Sequence, residues 1–431
     1  MKKAFLAILC ALTFVAVSAK TSSEILIDSL KESHRVILIG DGTEPSKDSV
    51  RAVIDMFYVD QFRHFQDPSA PYFMFVSKDS RFAMGIGGAV RMRGWADWGG
   101  IIPYNGFIPY AISVPSDKVN RRKITTTPAG TALYFKVIGR NERIGNYQLY
   151  IETNFDGYNQ VGMKLKKAYA TVNDWTVGYA PSTFGDPAAF PQLIDAQGPQ
   201  AEVQTNAVLI RWMHNVLPQL TFAASIESPQ SQVGYDNVNT GHLNDWAPNI
   251  AAFAQFNLNN NGHIRLSGIT RFLPYQNLVT ASNAMRMGWG IQLSTVMRPT
   301  KNLTFYGAGN IGEGYGSLTG DLIMGNFDLL NNPDSPGEMY APKSWAWYAA
   351  LQYNFRPDLF MSATVGQERL APSHHIDPTT YKYGLYSAVN LFWNITPRVQ
   401  VAAEVNLGKR QNFDGNHNYA RRACLMTQFS F

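Results

Sequence analysis

Leu425-Met426-Thr427-Gln428-Phe429-Ser430-Phe431 closes the chain. Leu425, Thr427, Phe429 and Phe431 fall on one face of an extended segment, and Met426, Gln428 and Ser430 on the other. Alternation with a period of two is the pattern of a β-strand and not of a helix. A strand with one apolar face suits a sheet that divides hydrocarbon from a polar interior. Such a sheet has to close on itself, because an unpaired strand edge has no hydrogen-bonding partner in lipid.

Composition permits this reading without deciding it. The chain has 431 residues, with 13% aromatics and 35 glycines. A large soluble enzyme shares those values, and so does a barrel in which only every second strand residue is apolar. No stretch approaches about 18 consecutive apolar residues, so no transmembrane helix is expected. Residues 1–19 read as a secretory signal: Lys2 and Lys3, an apolar run from Ala4 to Val17, then Val17-Ser18-Ala19 as a cleavage site. Removing Lys2 and Lys3 lowers the net charge from +5 to +3, too mild to argue for nucleic acid. Cys424 is then the one cysteine left, so no intramolecular disulfide is expected.

Residues 20–80 form a separate periplasmic segment in this reading. Val50, Val53, Ile54, Phe57, Tyr58 and Phe62 recur at helical spacing between Ser46 and Gln66. Ser46 or Ser49 caps the start, and Asp67-Pro68 stops the helix. Its apolar stripe requires a surface. Periplasmic oligomerisation or docking is one reading, packing against a barrel mouth the other.

From 81 to 431 the chain divides into sixteen alternating runs, the first at 82–95 and the last at 419–431. Short connections at 141–144, 173, 215–217, 259–261, 298–300, 355–356 and 395–396 follow the even-numbered runs. Long ones at 96–130, 181–205, 228–247 and 313–342 follow odd-numbered runs. Tight turns on one side and long loops on the other are the arrangement of a transmembrane barrel. Trp175, Trp212, Trp345, Trp347 and Trp393 lie near run ends on the apolar face, where interfacial girdles belong. The fold expected is all-β: a sixteen-stranded antiparallel transmembrane β-barrel with a short helical N-terminal segment.

A basic side chain on the lipid face costs roughly 2–4 kcal/mol at the bilayer midplane, so mid-strand cations should face the lumen. Parity turns Arg91, Arg93, Lys136, Arg140, Lys164, Lys166, Arg211, Arg265, Arg271, Arg286 and Arg422 inward. Glu152, Glu227, Glu368 and Glu404 follow them. Lys167 breaks the alternation, through a bulge or a protein-covered surface. The basic excess reads either as an electropositive channel or as a structural network of acids and bases.

Other signals are set aside. Gly307-Ala308-Gly309-Asn310-Ile311-Gly312 fits a dinucleotide fingerprint but lies inside a run with no helix after it. His374, His375 and Asp377 lack a further ligand, so neither metal nor cofactor is expected. No nucleophile, base and acid cluster stands out.

The terminal strand with its final Phe431 resembles the closing strand of bacterial outer-membrane barrels. Leu149-Tyr150-Ile151-Glu152-Thr153-Asn154-Phe155, Leu165-Lys166-Lys167-Ala168-Tyr169, Ser182-Thr183-Phe184-Gly185-Asp186-Pro187 and Asp195-Ala196-Gln197-Gly198-Pro199 resemble the DcaP-like porins. The resemblance implies a homotrimeric porin in the outer membrane of a Gram-negative bacterium, bounded by lipid and placed there by the barrel assembly machinery. It implies passage of small anionic solutes such as dicarboxylates. In trimeric porins the third long loop, here 181–205, folds inward and narrows the pore. Asp186, Asp195 and Glu202 would then face the arginines across the gap. Tyr134, Tyr150, Tyr306, Tyr348 and Tyr386 point inward by parity, which keeps a sugar channel open as an alternative. A barrel enzyme is the more distant one.

Overall fold

The structure is a computed structural model that describes residues 35–40, 46, 49–50, 52–53, 57, 73–79, 81–119, 121–156 and 161–431. Sixteen long strands make one closed antiparallel barrel. They are Phe82–Trp98 (β1), Ala132–Asn141 (β2), Gly145–Phe155 (β3), Met163–Val172 (β4), Trp175–Pro181 (β5), Asn206–Leu217 (β6), Leu220–Glu227 (β7) and Asn249–Leu258 (β8). Gly262–Asn277 (β9), Ser282–Met297 (β10), Leu303–Glu313 (β11), Lys343–Arg356 (β12), Leu359–Ala371 (β13), Tyr381–Asn394 (β14), Val399–Asn412 (β15) and His417–Ser430 (β16) complete it.

β16 closes the barrel on β1, in register from Arg421 opposite Trp98 down to Ser430 opposite Ala89. Phe431 extends the ladder by two bonds: Gly88 N–H donates to its carbonyl at 2.9 Å, and its own N–H donates to Gly88 O at 3.0 Å. Gly88 is required at this crowded joint, where a Cβ would strike the carbonyl of Ala132. Below the end of β16 the same edge of β1 is taken by Phe73–Ser77, with Val76 opposite Ala83 and Phe73 opposite Ile86. Arg35–Ile39 lies parallel beside that strand. Above the top of β2, Arg122–Thr127 pairs with β1.

Burial is inverted relative to a soluble protein. Leu293, Val405, Leu425 and Phe429 are exposed outside, while Gln292, Ser294, Glu404 and Asn406 are buried inside. That is the distribution a wall between lipid and a polar lumen demands. Trp175 and Trp347 are exposed on the outer face, near strand ends.

At the N-terminal segment Ser49 N–H donates to Ser46 Oγ at 3.1 Å, an N-cap contact. Residues 49, 50, 52, 53 and 57 have helical backbone. Val53 and Phe57 are buried against Met74, Val76, Ala83 and Ile138, at the mouth of the barrel. The remainder of the expected helix, and the expected signal at 1–19, lie outside the described residues.

The loops depart from expectation in one respect. Loop 182–205 enters the lumen, and two others turn inward with it. Ile102, Phe107 and Ile112 pack against Leu193, Tyr386 and Ala388. Tyr315 and Leu318 pack against Phe184, and Leu322 lies over Leu370 and Tyr381. The cause is plain in the residues: these loops carry large apolar side chains, and a lumen lined by strands and a loop can bury them.

Candidate functional site

Loop 182–205 leaves β5 at Pro181 and is fastened strand by strand around the inner wall. Ser182 Oγ and Thr183 N–H both donate to Glu227 at 2.7 Å on β7. Ser294 Oγ donates to Asp186 at 2.6 Å from β10, and Tyr348 OH donates to Ala189 O at 2.9 Å from β12. Asn390 Nδ2 donates to Gln192 O at 3.0 Å from β14. Glu404 on β15 accepts the N–H of Ile194 at 2.8 Å and of Asp195 at 2.9 Å. Arg93 Nη1 donates to Ile194 O at 3.1 Å from β1. The loop therefore hugs the β7–β15 side, and the space it leaves lies against β1–β4.

That space is a cavity of about 310 Å³. Arg91, Arg93, Lys164, Lys166 and Lys167 line its wall side, with Glu152 and Asp156. Asp195, Glu202 and Gln204 line its loop side. Burial raises the pKa of Asp195 and raises that of Glu202 well above the ordinary carboxylate range. Backbone donors to Asp195, from Phe107 at 2.6 Å and Gly198 at 3.0 Å, and the Gln204 amide on Glu202 oppose that rise. The loop side is thus weaker in negative charge than its residue count suggests.

Lys167 settles an open point. The β3–β4 register shifts between Glu152 and Thr153, so Glu152 faces Lys167 while Thr153 faces Leu165. This is a β-bulge with Lys166 as the extra residue. Both lysines turn inward on one carboxylate, Lys166 at 2.8 Å and Lys167 at 3.7 Å from Glu152. Lys167 is a cavity residue that strict alternation misses.

The other inward cations have different surroundings. Arg265 lies 3.4 Å from Asp186 and also donates to Gly185 O at 2.9 Å. His263 Nε2 stands 2.7 Å from the same carboxylate. Burial pushes the Asp186 carboxyl up, yet Arg265 and His263 outweigh it and hold the group well below the ordinary range. Asp186 therefore does not face the arginines across a gap; it is an anchor on the β9–β10 wall. Arg271 pairs with Asp328 at 2.9 Å and is fully buried. Arg422 pairs with Asp97 at 2.7 Å and donates to the carbonyls of Ile102, Tyr104 and Asn105. Arg286 sits at the loop end, 3.4 Å from Glu338. Lys136 donates to Phe57 O at 3.1 Å, tying the N-terminal segment to the barrel mouth. Arg140 is exposed at the β2–β3 turn. Arg211 is buried between Thr176 and Ser225, away from the cavity. Glu368 accepts the N–H groups of Asp321 and Leu322 and so fastens loop 314–342.

The inward tyrosines pack rather than form a track. Tyr306 and Tyr348 lie beneath Ala189 and Ala201, and Tyr386 beneath Phe107 at 6.1 Å. Tyr134, Tyr150 and Tyr169 stack in a buried ladder, with ring centroids 5.9 and 5.4 Å apart.

Closed topology, inverted burial and an inward loop define the class: an outer-membrane β-barrel with the fold of porins and channels. The DcaP outer-membrane channel of Acinetobacter baumannii has the same fold, with a TM-score of 0.70, 17% identity, and coverage of 83% of this chain and 99% of that one. An anion-selective porin from Comamonas acidovorans matches at a TM-score of 0.53 and 9% identity, over 81% of this chain and 100% of that one. OmpT of Vibrio cholerae in its trimer form matches at 0.50 and 9%, over 81% and 100%. No protein-family model and no curated protein sequence matches the chain.

Proposed function

We propose that this chain is a passive diffusion porin for small hydrophilic anions, dicarboxylates among them, and not an enzyme. One observation carries the reading: five cations line the cavity between loop 182–205 and the β1–β4 wall. A low-dielectric tube focuses the field of such groups onto a passing solute, so they outweigh charges elsewhere on the surface. Two of the five, Lys166 and Lys167, share Glu152, and Asp156 lines the same wall and offsets one more. Buried Asp195 and Glu202 oppose the remaining basic excess only weakly, because burial disfavours their ionised forms. Likeness in fold to an anion-selective porin supports the sign of the selectivity, and likeness to a trimeric barrel supports assembly as a homotrimer.

The test is the reversal potential of the reconstituted protein in a planar bilayer under a salt gradient. Anion preference is expected, weakening as salt rises because charges beyond about 10 Å are screened at ~0.1 M. A cation-selective wild type would overturn the reading.

A further inference from the structure

The outer face of β13–β16 carries three cations, Arg369, Lys409 and Arg421, at the end of the barrel that bears the long loops. Lys409 Nζ donates to Tyr383 OH at 2.8 Å and to Gln411 Oε1 at 3.0 Å. It lies 5.2 Å from the Tyr383 ring and 5.9 Å from the Tyr419 ring. The Arg369 guanidinium lies 6.0 Å from the same Tyr383 ring. Arg421 is exposed on the face of β16 that carries Tyr419 and stands opposite Leu407 on β15. Among the described residues, the ion pairs involve none of these three. Two cations held against aromatic rings at a membrane boundary, with a third exposed one strand away and no carboxylate paired to any of them, can form a receptor for an anion outside the protein.

Directly below lies an apolar groove of about 400 Å³ on the same outer face. Ala349, Ala363 and Ser387 form its floor, and Leu351, Val389 and Leu407 rise around them. Ser387 pairs with Leu407, two residues below Lys409 on β15. At a strand rise of ~3.4 Å per residue, the cations sit about 7 Å above the groove. An apolar groove on the outer wall of a transmembrane barrel is suited to hydrocarbon.

We propose that this face binds a phosphorylated, acylated lipid of the outer leaflet, with its phosphate on Arg369, Lys409 and Arg421 and an acyl chain in the groove. Charge complementarity selects the head group, and the spacing of the two subsites selects a molecule that carries both parts.

The experiment uses the detergent-solubilised full chain and native mass spectrometry. The probes are bis-phosphorylated lipid A, its dephosphorylated form and inorganic phosphate. Lipid A should bind as a discrete adduct, the dephosphorylated form much more weakly, and inorganic phosphate should not displace it. The Arg369→Gln/Lys409→Gln/Arg421→Gln variant should bind lipid A about a hundredfold more weakly, roughly fivefold for each cation. Ala363→Phe, which fills the groove, should also weaken binding while leaving the oligomeric state intact. Should the triple variant fail to fold, Lys409→Gln alone decides, with an expected fivefold loss. Equal binding of both lipid forms, full displacement by phosphate, or unchanged affinity in the cation variants would overturn the proposal. So would Ala363→Phe breaking the oligomer without touching lipid binding, since a second copy of the chain would then occupy the groove.

Discussion

Arg265 and Arg271 stand on one side of the lumen, and Arg91, Lys164, Lys166 and Lys167 on the other. All obey the same rule of keeping basic groups off the lipid face. Yet the first two each meet a carboxylate carried by an inward loop, Arg265 at 3.4 Å from Asp186 and Arg271 at 2.9 Å from Asp328. The second set lines a cavity, and the one carboxylate that Lys166 and Lys167 meet belongs to the wall and not to a loop. The β7–β15 side is fused to its loops and functions as scaffold, whereas the β1–β4 side borders the cavity. Parity decides only which way a charge points. Whether that charge remains available to a solute is decided by where the loops come to rest.

Neutralising each wall in turn separates the two sets of cations most directly. Replacing Arg91, Lys164 and Lys167 with glutamine should lower the anion-to-cation permeability ratio several-fold, or reverse it, in a reversal-potential measurement. Arg265→Gln should leave the ratio nearly unchanged. Equal shifts from both walls would abolish the distinction.

A second test removes the divider. Deleting 188–197 should raise single-channel conductance in a folded protein, because that segment bounds the cavity. Unchanged conductance would mean that loops 99–121 and 314–342 set the narrowest point.

A smaller effect is expected from the anchor. Asp186→Asn leaves the buried Arg265 without its carboxylate, and breaking a buried pair costs roughly 3–5 kcal/mol. Several other bonds still hold the loop, so a loss near the lower figure should appear in urea titration of the refolded barrel, with selectivity preserved.

The smallest effect concerns loop 314–342. Burial pushes Asp321 up to about 6, against the hydrogen bond from Tyr381 OH. A carboxyl raised in the folded state favours the protein when protonated. Its contribution is complete below the ordinary carboxylate value and is lost as pH rises through about 6. A cysteine at buried Ser317 should therefore label faster above about pH 7 than below about pH 5, relative to one at exposed Ser373 at the same pH. An unchanged ratio would show that Asp321 does not hold the loop.

Much of the fold was legible because alternation and turn length are local properties. Leu425, Phe429 and the short turn at 259–261 each say what they do without reference to distant residues. The site was legible only in part, since its outcome depends on contacts far apart in the chain. Arg91, Arg93, Lys164 and Lys166 reach the cavity as parity indicates. Asp186 is lost to Arg265 and His263, partners some eighty residues away that no local pattern reveals. Lys167 stands out in the sequence as a break in the alternation, and the register shift shows that of the two readings, bulge or covered surface, the bulge holds. Two adjacent lysines in a barrel strand are the available signal, since both can reach the lumen only if one residue is extra. The inward course of loops 99–121 and 314–342 also left a trace. Ile102, Phe107, Leu318 and Leu322 are too apolar for water-facing loop tips.

The joint at Gly88 has a practical side. Phe431 has both its backbone N–H and its carbonyl committed there, and Phe73–Ser77 already occupies the continuing edge. Residues appended after Phe431 would have to turn away at once or displace that neighbour. A purification handle or fluorescent reporter at the C-terminus would thus be built into the seam of the barrel. The hairpin tip at Asp414, Gly415 and Asn416 is exposed, and Gly415 has open space around it, which makes this turn the place to carry such an insertion.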